Sequence, residues 1–381
     1  MTKNGLESLW DVVIAGAGPA GAIAACHLAR QGRKVLLVDQ IDPAHHKVGE
    51  SLPGAGLRFL RSVEISLENR PVAHQPVAPQ PVAHQPIPGN ISVWGAATPI
   101  YQDFLRDPDG PGLRLDRGCF DATLRSAAIA AGAVFREAHL GETVRKQNVW
   151  QVVIEGQQQV ERARWLIDAT GRRAVFARRL GAKKIHDPRL TAIYALGRAA
   201  TESPTTTRTL IEATACGWWY AATLPSGEIT AGFHTDPERA STFSRDRSKW
   251  EVAFHETRLI SQHYPKIHFD RPLPALDAGG SALDRVTGDG WIACGDAAQA
   301  FDPISSQGIF SSMVGGARAG ALVHTMLDHS DPSASESATA SAAYVSRLNQ
   351  IRAAYLAHRR EAYRSETRWS HSSFWSQQQS D

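Results

Sequence analysis

The sequence predicts an α/β fold in which a parallel sheet is laid down first and a mainly antiparallel sheet is inserted into it. Three runs predict the first part. Residues 11–15 (Asp-Val-Val-Ile-Ala) form a short apolar run that ends in Gly16-Ala-Gly18-Pro-Ala-Gly21. Residues 20–31 are Ala-rich and closed by Gly32, the pattern of a helix with its stop. Residues 34–39 (Lys-Val-Leu-Leu-Val-Asp) form a second β-branched run. Strand, tight turn, helix and parallel strand make a βαβ unit of the usual length.

The later elements follow the same logic. Residues 120–131 read as a second Ala-rich helix ended by Gly132, residues 142–155 as a strand pair, and residues 164–171 as a strand stopped by Gly171. Strands dominate 191–236, with Leu224-Pro-Ser-Gly-Glu228 as a hairpin turn. Residues 290–296 form another buried strand, ending on Asp296, and a Gly/Ala-rich helix runs from 308 to 324. Residues 331–341 read as a Ser/Ala/Pro linker, 342–363 as a helix, and the remainder as a polar tail. Residues 71–86 repeat Pro-Val-Ala-His/Pro-Gln, and their prolines predict a polyproline-like loop. His74 and His84 could suggest a metal, but no Cys or carboxylate accompanies them, so a duplicated surface loop is the expectation.

Composition narrows the function. The 381 residues suffice for two or three domain-sized units. Lys+Arg 41 against Asp+Glu 38 leaves +3 without a basic block, so nucleic acid is not an expected partner. The four cysteines are far apart, which argues against a disulfide framework or zinc ribbon and for a reducing, cytoplasmic setting. The apolar stretch 12–29 lacks a basic leader and a cleavage site and contains three glycines and a proline, so no membrane association is expected.

Chemistry enters at two strand ends. In Gly16-x-Gly18-x-x-Gly21 the glycines permit a tight turn and close backbone approach, so a pyrophosphate can rest on the helix N-terminus. Asp39, 18 residues past Gly21, is placed to accept hydrogen bonds from an adenosine ribose. That much fits FAD or NAD. An extended cofactor with a ribityl chain needs a second anchor far away in sequence, and Gly295-Asp296 followed by Pro303-Ile-Ser-Ser-Gln-Gly308-Ile309 suits it. The alternative for Asp296 is a helix N-cap.

Those segments resemble the FAD-binding fold of the para-hydroxybenzoate hydroxylase class. Val48-Gly49-Glu50-Ser51-Leu52-Pro53, Leu115-Asp-Arg117-Gly-Cys-Phe-Asp121, Asp168-Ala-Thr-Gly171-Arg172, Gly217-Trp218-Trp219-Tyr220 and Arg368-Trp-(x4)-Phe374-Trp375 resemble one branch of it. That branch holds the tryptophan halogenases and the flavoproteins that mature tryptophylquinone-containing amine oxidases and dehydrogenases. The resemblance implies a Rossmann-like FAD-binding domain from residues 1–70, 111–183 and 285–330, and a mainly antiparallel β-sheet substrate domain from 71–110 and 184–284. A C-terminal helix and tail would occupy 331–381. It further implies that Gly16, Gly18, Ala20, Gly21, Asp39, Gln40, Ser51, Arg117, Val144, Gly171, Asp296, Pro303, Gln307, Gly308 and Ile309 bind FAD. For Arg117 a surface ion pair is the alternative.

The departures from that family are informative. A flavin halogenase needs a lysine beside its substrate, and no lysine occurs between Lys47 and Lys146. The halogenase glutamate falls on Ser305, and the Trp-x-Trp-x-Ile-Pro signature is absent. Halogenation is therefore disfavoured, and the chemistry belongs to the flavin acting with O₂. No second Gly-x-Gly-x-x-Gly is present, so NAD(P)H would bind transiently or a separate reductase would supply electrons. The expectation is an FAD-dependent monooxygenase acting on an indole or tryptophan-type ring, either a tryptophan in a quinoprotein precursor polypeptide or a small indole or phenol. A flavin dehydrogenase or reductase, and a flavin-binding scaffold, are the rivals. Trp218, Trp219 and Tyr220 are candidate substrate contacts or plain core aromatics, with alternation sending Trp219 to the opposite face. Glu50 and Ser306 are candidate catalytic groups, Glu50 with a structural carboxylate as its alternative. His234 and His186 are weaker candidates.

Overall fold

The computed structural model describes residues 9–42, 47–67, 84–104, 107–156, 160–199, 206–269, 274–328 and 334–380. It opens with β1 (Leu9–Ala15), α1 (Pro19–Arg30) and β2 (Val35–Asp39). β1 is the centre of a parallel sheet, with Val13 opposite Leu36 of β2 on one side and Leu166 of the Val160–Asp168 strand on the other. Val134–Glu137 extends the sheet beyond β2, and Trp291–Ala293 extends it beyond Val160–Asp168. Strands covered on both faces need apolar side chains on both, and residues 12–15 and 35–38 are buried without alternation. The antiparallel pair Leu140–Lys146 and Val149–Ile154 branches from the Val160–Asp168 strand. α1 packs against the long helix Gly308–Asp328.

A second eight-stranded sheet contains Gly89–Val93, Ile100–Asp103, Thr191–Ala199, Thr209–Thr214, Gly217–Thr223 and Ile229–Thr235, with Ile267–Phe269 and Ala275–Asp277 at its far side. Its pairings are antiparallel except that Gly89–Val93 runs parallel to Thr209–Thr214. Here alternation decides everything. Ile193, Trp219 and Phe233 point to one face, where Ala240, Trp250, Phe254 and Ile260 from three short helices cover them. Tyr194, Trp218, Tyr220 and His234 point to the other.

The C-terminal segment departs from expectation twice. Helix begins at Ala334 and continues to Arg364, so the expected linker at 331–341 is helical over its described part; alanine, the best helix former, supplies four of the residues from 334 to 342. The expected polar tail contains a further helix, Ser373–Gln379, whose Phe374 and Trp375 are fully buried beside Trp218 and Tyr363. Two adjacent aromatics among Ser and Gln carry no periodicity, so only the tertiary partner reveals them.

In the Pro/His/Gln repeat, residues 71–83, His74 included, lie outside the described residues. Its end is not the expected loop, because His84–Ile87 pairs with Gly112–Leu115. Pro86 is tolerated because this is the edge strand of a three-stranded sheet. His84–Ile87 joins Ser51–Leu52 and Gly112–Leu115 in one three-stranded sheet, while Ser281–Leu283 pairs with both Lys184–His186 and Gln299–Ala300 in another. Among the described residues no helix is long and apolar enough to cross a membrane.

Candidate functional site

The glycine turn divides its labour. Gly16 has φ +99°, and a Cβ there or at Gly21 would run into backbone oxygens, of Ala169 and Gly16 respectively. Those two glycines close the strand–turn–helix junction. Gly18 differs, since no protein atom lies within 4 Å of a Cβ built on it. It borders a cavity of about 650 Å³, together with Pro19 and Ala20 at the start of α1. α1 has no side-chain cap, so its first N–H groups are available to an anion. Asp39 braces the turn from β2, its Oδ2 accepting from Ala17 N–H at 2.8 Å and its Oδ1 from Gln40 N–H at 2.9 Å.

The second strand end reaches the same place. Gly295 is so close to Ala20 that a Cβ would press on the Ala20 methyl, and Asp296 lines the cavity. The Asp296 carboxylate is not a cap, so the N-cap alternative is set aside. Its Oδ1 accepts from Ser312 Oγ at 3.3 Å, and Arg172 Nε lies 3.8 Å from Oδ2. Burial raises the Asp296 pKa, with Arg172 opposing it. Arg172 is itself held by the carbonyls of Gly279 and Phe301, each at 2.6 Å. Asp168, in the same motif, is structural: its carboxylate accepts from Thr170, Phe176 and Ala177 N–H groups.

Arg117 forms an ion pair with Asp121, though not at the surface, its side chain being only 12% exposed. Its Nη1 donates to Val48 O at 2.7 Å and Gly49 O at 3.1 Å, and its other guanidinium nitrogens bond to Asp121. Lys47 Nζ also meets Asp121, at 2.9 Å. Two cations thus share one carboxylate at the cavity wall, where Lys47, Val48, Gly49, Glu50, Ser51 and Arg117 all contribute. Glu50 is buried. Across the cavity, Asp302 accepts from Ile304 N–H at 2.9 Å and starts the turn Pro303–Ser305; Ser306 follows in a left-handed conformation, φ +51°. Pro303, Ser305, Ser306, Gln307, Gly308 and Ile309 all border the cavity, as does Gly171.

The aromatic wall comes from the second sheet. Trp218 and Tyr220 line it, joined by Tyr194, His234 and Ile211. Trp219 does not, which corrects the expectation of three aromatic substrate contacts. It stacks on Phe233 at 4.6 Å and meets Trp250 at 5.1 Å on the opposite face. Gln40 and Val144 also lie outside the cavity wall; Val144 is 40% exposed on the branched hairpin. His186 is exposed on a short strand and does not border the cavity. His84, the one repeat histidine that is described, accepts from Asp116 N–H at 3.2 Å. Among the described residues no cluster of His, Cys, Asp or Glu could hold a metal.

Four residues that matter to this wall were not singled out from sequence. Tyr194 Oη lies 3.1 Å from His234 Nε2, and the His234 ring stacks on Trp218 at 3.7 Å. Burial lowers the His234 pKa to about 3 and raises that of Tyr220 to about 12. Trp218 Nε1–H donates to Tyr363 Oη at 3.1 Å, and Tyr363 donates in turn to Asp302 Oδ2 at 2.9 Å. Arg114, buried behind Tyr220, bonds to it at 2.7 Å. The one available signal was at Arg114, a cation between two leucines in an apolar strand.

Two strand ends meeting at one cavity, with an aromatic wall on the same cavity, fit a flavin-dependent oxidoreductase, and comparison with known proteins agrees. The FAD binding domain profile matches residues 11–51, the stretch holding the glycine turn, Asp39 and Ser51. The tryptophan halogenase profile matches residues 96–381, and the chain belongs to that family. A protein of Marinomonas mediterranea named as an FAD-dependent oxidoreductase, LodB, is 27% identical over 374 residues, 96% of each chain. The myxobacterial chondrochloren halogenase CndH superposes with a TM-score of 0.82 at 17% identity, covering 98% of this chain and 86% of that one. The peptidyl tryptophan dihydroxylase QhpG, essential for tryptophylquinone cofactor biogenesis, superposes with a TM-score of 0.72 at 23% identity, covering 98% and 79%.

Proposed function

We propose that this protein is an FAD-dependent monooxygenase that hydroxylates an indole ring, that of a tryptophan in a partner polypeptide during quinone cofactor biogenesis. The observation that carries the reading is the composition of the cavity. A polar-tipped aromatic wall shares the cavity with the FAD-type glycine turn, Ser305 stands where halogenases place glutamate, and Lys47, which borders the cavity, is tied to Asp121. The fold shared with QhpG, a peptidyl tryptophan dihydroxylase, supports the polypeptide version.

The residues fit FAD. The open space at Gly18 admits a pyrophosphate that a side chain would block, and the first turn of α1 supplies donors to it. Gly16 and Gly21 shape that turn, with Asp39 and Gln40 toward the adenosine end and Ser51, Arg117 and Gly171 along the middle. The Lys47–Arg117–Asp121 cluster carries one net positive charge toward the phosphates. Asp296 would take the ribityl hydroxyls, and Pro303, Gln307, Gly308 and Ile309, on the same cavity wall, would hold the ring. When bound, FAD would supply the two-electron chemistry with O₂, drawing electrons from NAD(P)H or a partner reductase, with one oxygen atom going to an electron-rich carbon and the other to water. The chain's own part is to aim the indole with Trp218, Tyr194 and Tyr220, to exclude water, and to keep His234 neutral beside the ring.

The test is aerobic incubation of the FAD-loaded protein with a reductant and tryptophan-containing peptides. Addition of 16 Da to the indole is expected. A halogenated product in the presence of bromide or chloride, or reductant consumption without oxygen incorporation, overturns the reading. Gly18→Ala should leave the melting temperature within about 1–2 °C, as substitutions that touch nothing usually do, while FAD affinity falls at least about tenfold if the pyrophosphate rests there.

A further inference from the structure

A near-neutral total hides a local imbalance of charge. Between Asp168 and Asp187 the chain carries Arg172, Arg173, Arg178, Arg179, Lys183 and Lys184 and no carboxylate, a basic block that corrects the expectation of none. The block folds as the turn Gly171–Arg173, the short helix Val175–Arg179 and the strand Lys184–His186. Its cations are drawn together. Arg178 Nη1 donates to Arg173 O at 3.4 Å, and Lys184 Nζ donates to Arg172 O at 3.0 Å. Burial lowers the Lys184 pKa, and the like charges of Arg172 and Arg178 lower it further against the pull of Asp277 and Asp296.

Most of this charge has no local counterpart. Arg172 lies 3.8 Å from Asp296, and Asp187, the next acid along the chain, is taken by Arg352. Arg173, Arg178, Arg179 and Lys183 are exposed, and among the described residues none of them forms an ion pair. Like charges set side by side without counterions repel one another, a cost that an anionic partner removes.

The position and shape of the block say what kind of anion fits. Arg172 and Arg173 border the cavity, and Arg173 is also exposed, so the block begins at the cavity rim. The exposed charged residues of the cavity lining, Lys47 and Arg173, are both cations. From the rim the block runs out to Lys184–His186, an edge strand whose one neighbour among the described strands is Ser281–Leu283. Ile185, in the middle of that edge, is 57% exposed. A strand edge offers backbone N–H and C=O groups that an extended peptide can pair with and that a nucleic acid or a small anion cannot use.

We propose that residues 173–186 dock an acidic stretch of the substrate polypeptide, which lies along the edge strand while its indole enters the cavity beside Arg173. The proposal rests on the reading of this cavity as a site for a peptide-borne indole. Charge at the rim then selects which chains arrive, and the aromatic wall receives the ring.

The test is calorimetric binding of two short tryptophan peptides to the FAD-loaded protein, alike except that glutamates flank the indole in one and lysines in the other. At about 20 mM salt the acidic peptide should bind at least about tenfold more tightly, and by about 500 mM the two should agree within about twofold. Arg178→Glu combined with Lys183→Glu should erase the low-salt preference, and the milder Arg178→Gln with Lys183→Gln should cut it about threefold or more. FAD content and affinity for uncharged 3-methylindole should stay unchanged in both, since neither residue borders the cavity. Equal affinity for the two peptides at low salt, a preference indifferent to salt, or one that survives charge reversal overturns the proposal. So does loss of FAD from the variants, or tighter binding of a short DNA duplex than of the acidic peptide. The readout is separate from turnover. A charge preference without oxygenated product removes the monooxygenase reading and leaves the docking surface, and oxygenated product from both peptides alike does the reverse.

Discussion

Trp218 and Trp219 are neighbours in sequence and almost equally buried, yet they belong to different worlds. Trp219 sits among Phe233, Trp250 and Phe254, a hydrocarbon layer so dry that Trp250 Nε1 is enclosed without a partner. Trp218 sits in a layer whose rings carry polar tips, stacked on His234 and bonded through Tyr363 to Asp302. The first face can only stabilise. The second is held from behind by hydrogen bonds while its rings border the cavity, so it can be rigid and still present chemistry. One strand thus serves both purposes by alternation alone.

Substitutions can break this contrast at graded cost. The largest effect is expected from Trp219→Ala, a loss of about 3–5 kcal/mol in urea unfolding from the emptied core. FAD content per folded molecule should stay unchanged; flavin loss in the folded variant would show that the dry face also shapes the site. Tyr363→Phe leaves the Trp218 N–H and the Asp302 carboxylate each without one partner, and should cost about 1–3 kcal/mol. Its mark should be a shift of Trp218 fluorescence that Trp219→Ala does not reproduce.

The smallest effect at neutral pH belongs to His234→Phe, and it grows with acid. The folded imidazole takes a proton only near pH 3, against about 6.5 in the unfolded chain. Between those values the unfolded chain binds more protons, so this contribution is complete above about 6.5 and is lost as pH falls, by about 1.4 kcal/mol per unit. Asp296 and Asp302 work in the opposite sense, because their buried carboxyls take up protons more readily in the folded chain. The difference between the two proteins is therefore the informative quantity. His234→Phe should gain relative stability on acidification from pH 6.5 to 4, and parallel curves would show that His234 is not held neutral.

How much was legible varies with the reach of each signal. The glycine turn, Asp39 and Asp296 could be read because each depends on residues within one strand–turn–helix segment, where spacing alone sets geometry. Alternation placed Trp219 opposite its neighbours but could not say which face borders the cavity, since that depends on what packs on each side. Arg114 offered only its charge between two leucines, and Tyr194, Asp302 and Tyr363 were silent, because their meaning lies in partners tens to hundreds of residues away. The segment read as a polar tail failed for the same reason, since Phe374 and Trp375 acquire a partner only when the sheet is already built.

By itself the amino-acid order determined the βαβ unit, its glycine turn and the second strand end at Gly295-Asp296, because short-range sterics and strand burial leave few other conformations to those residues. Only the tertiary structure decided that the two strand ends meet, that Trp218 rather than Trp219 borders the cavity they share, and that Tyr194 and Tyr220 stand on one face of the sheet on either side of Gly232. Those outcomes depend on which surfaces cover one another, a property of the assembled sheets that no local run of residues contains.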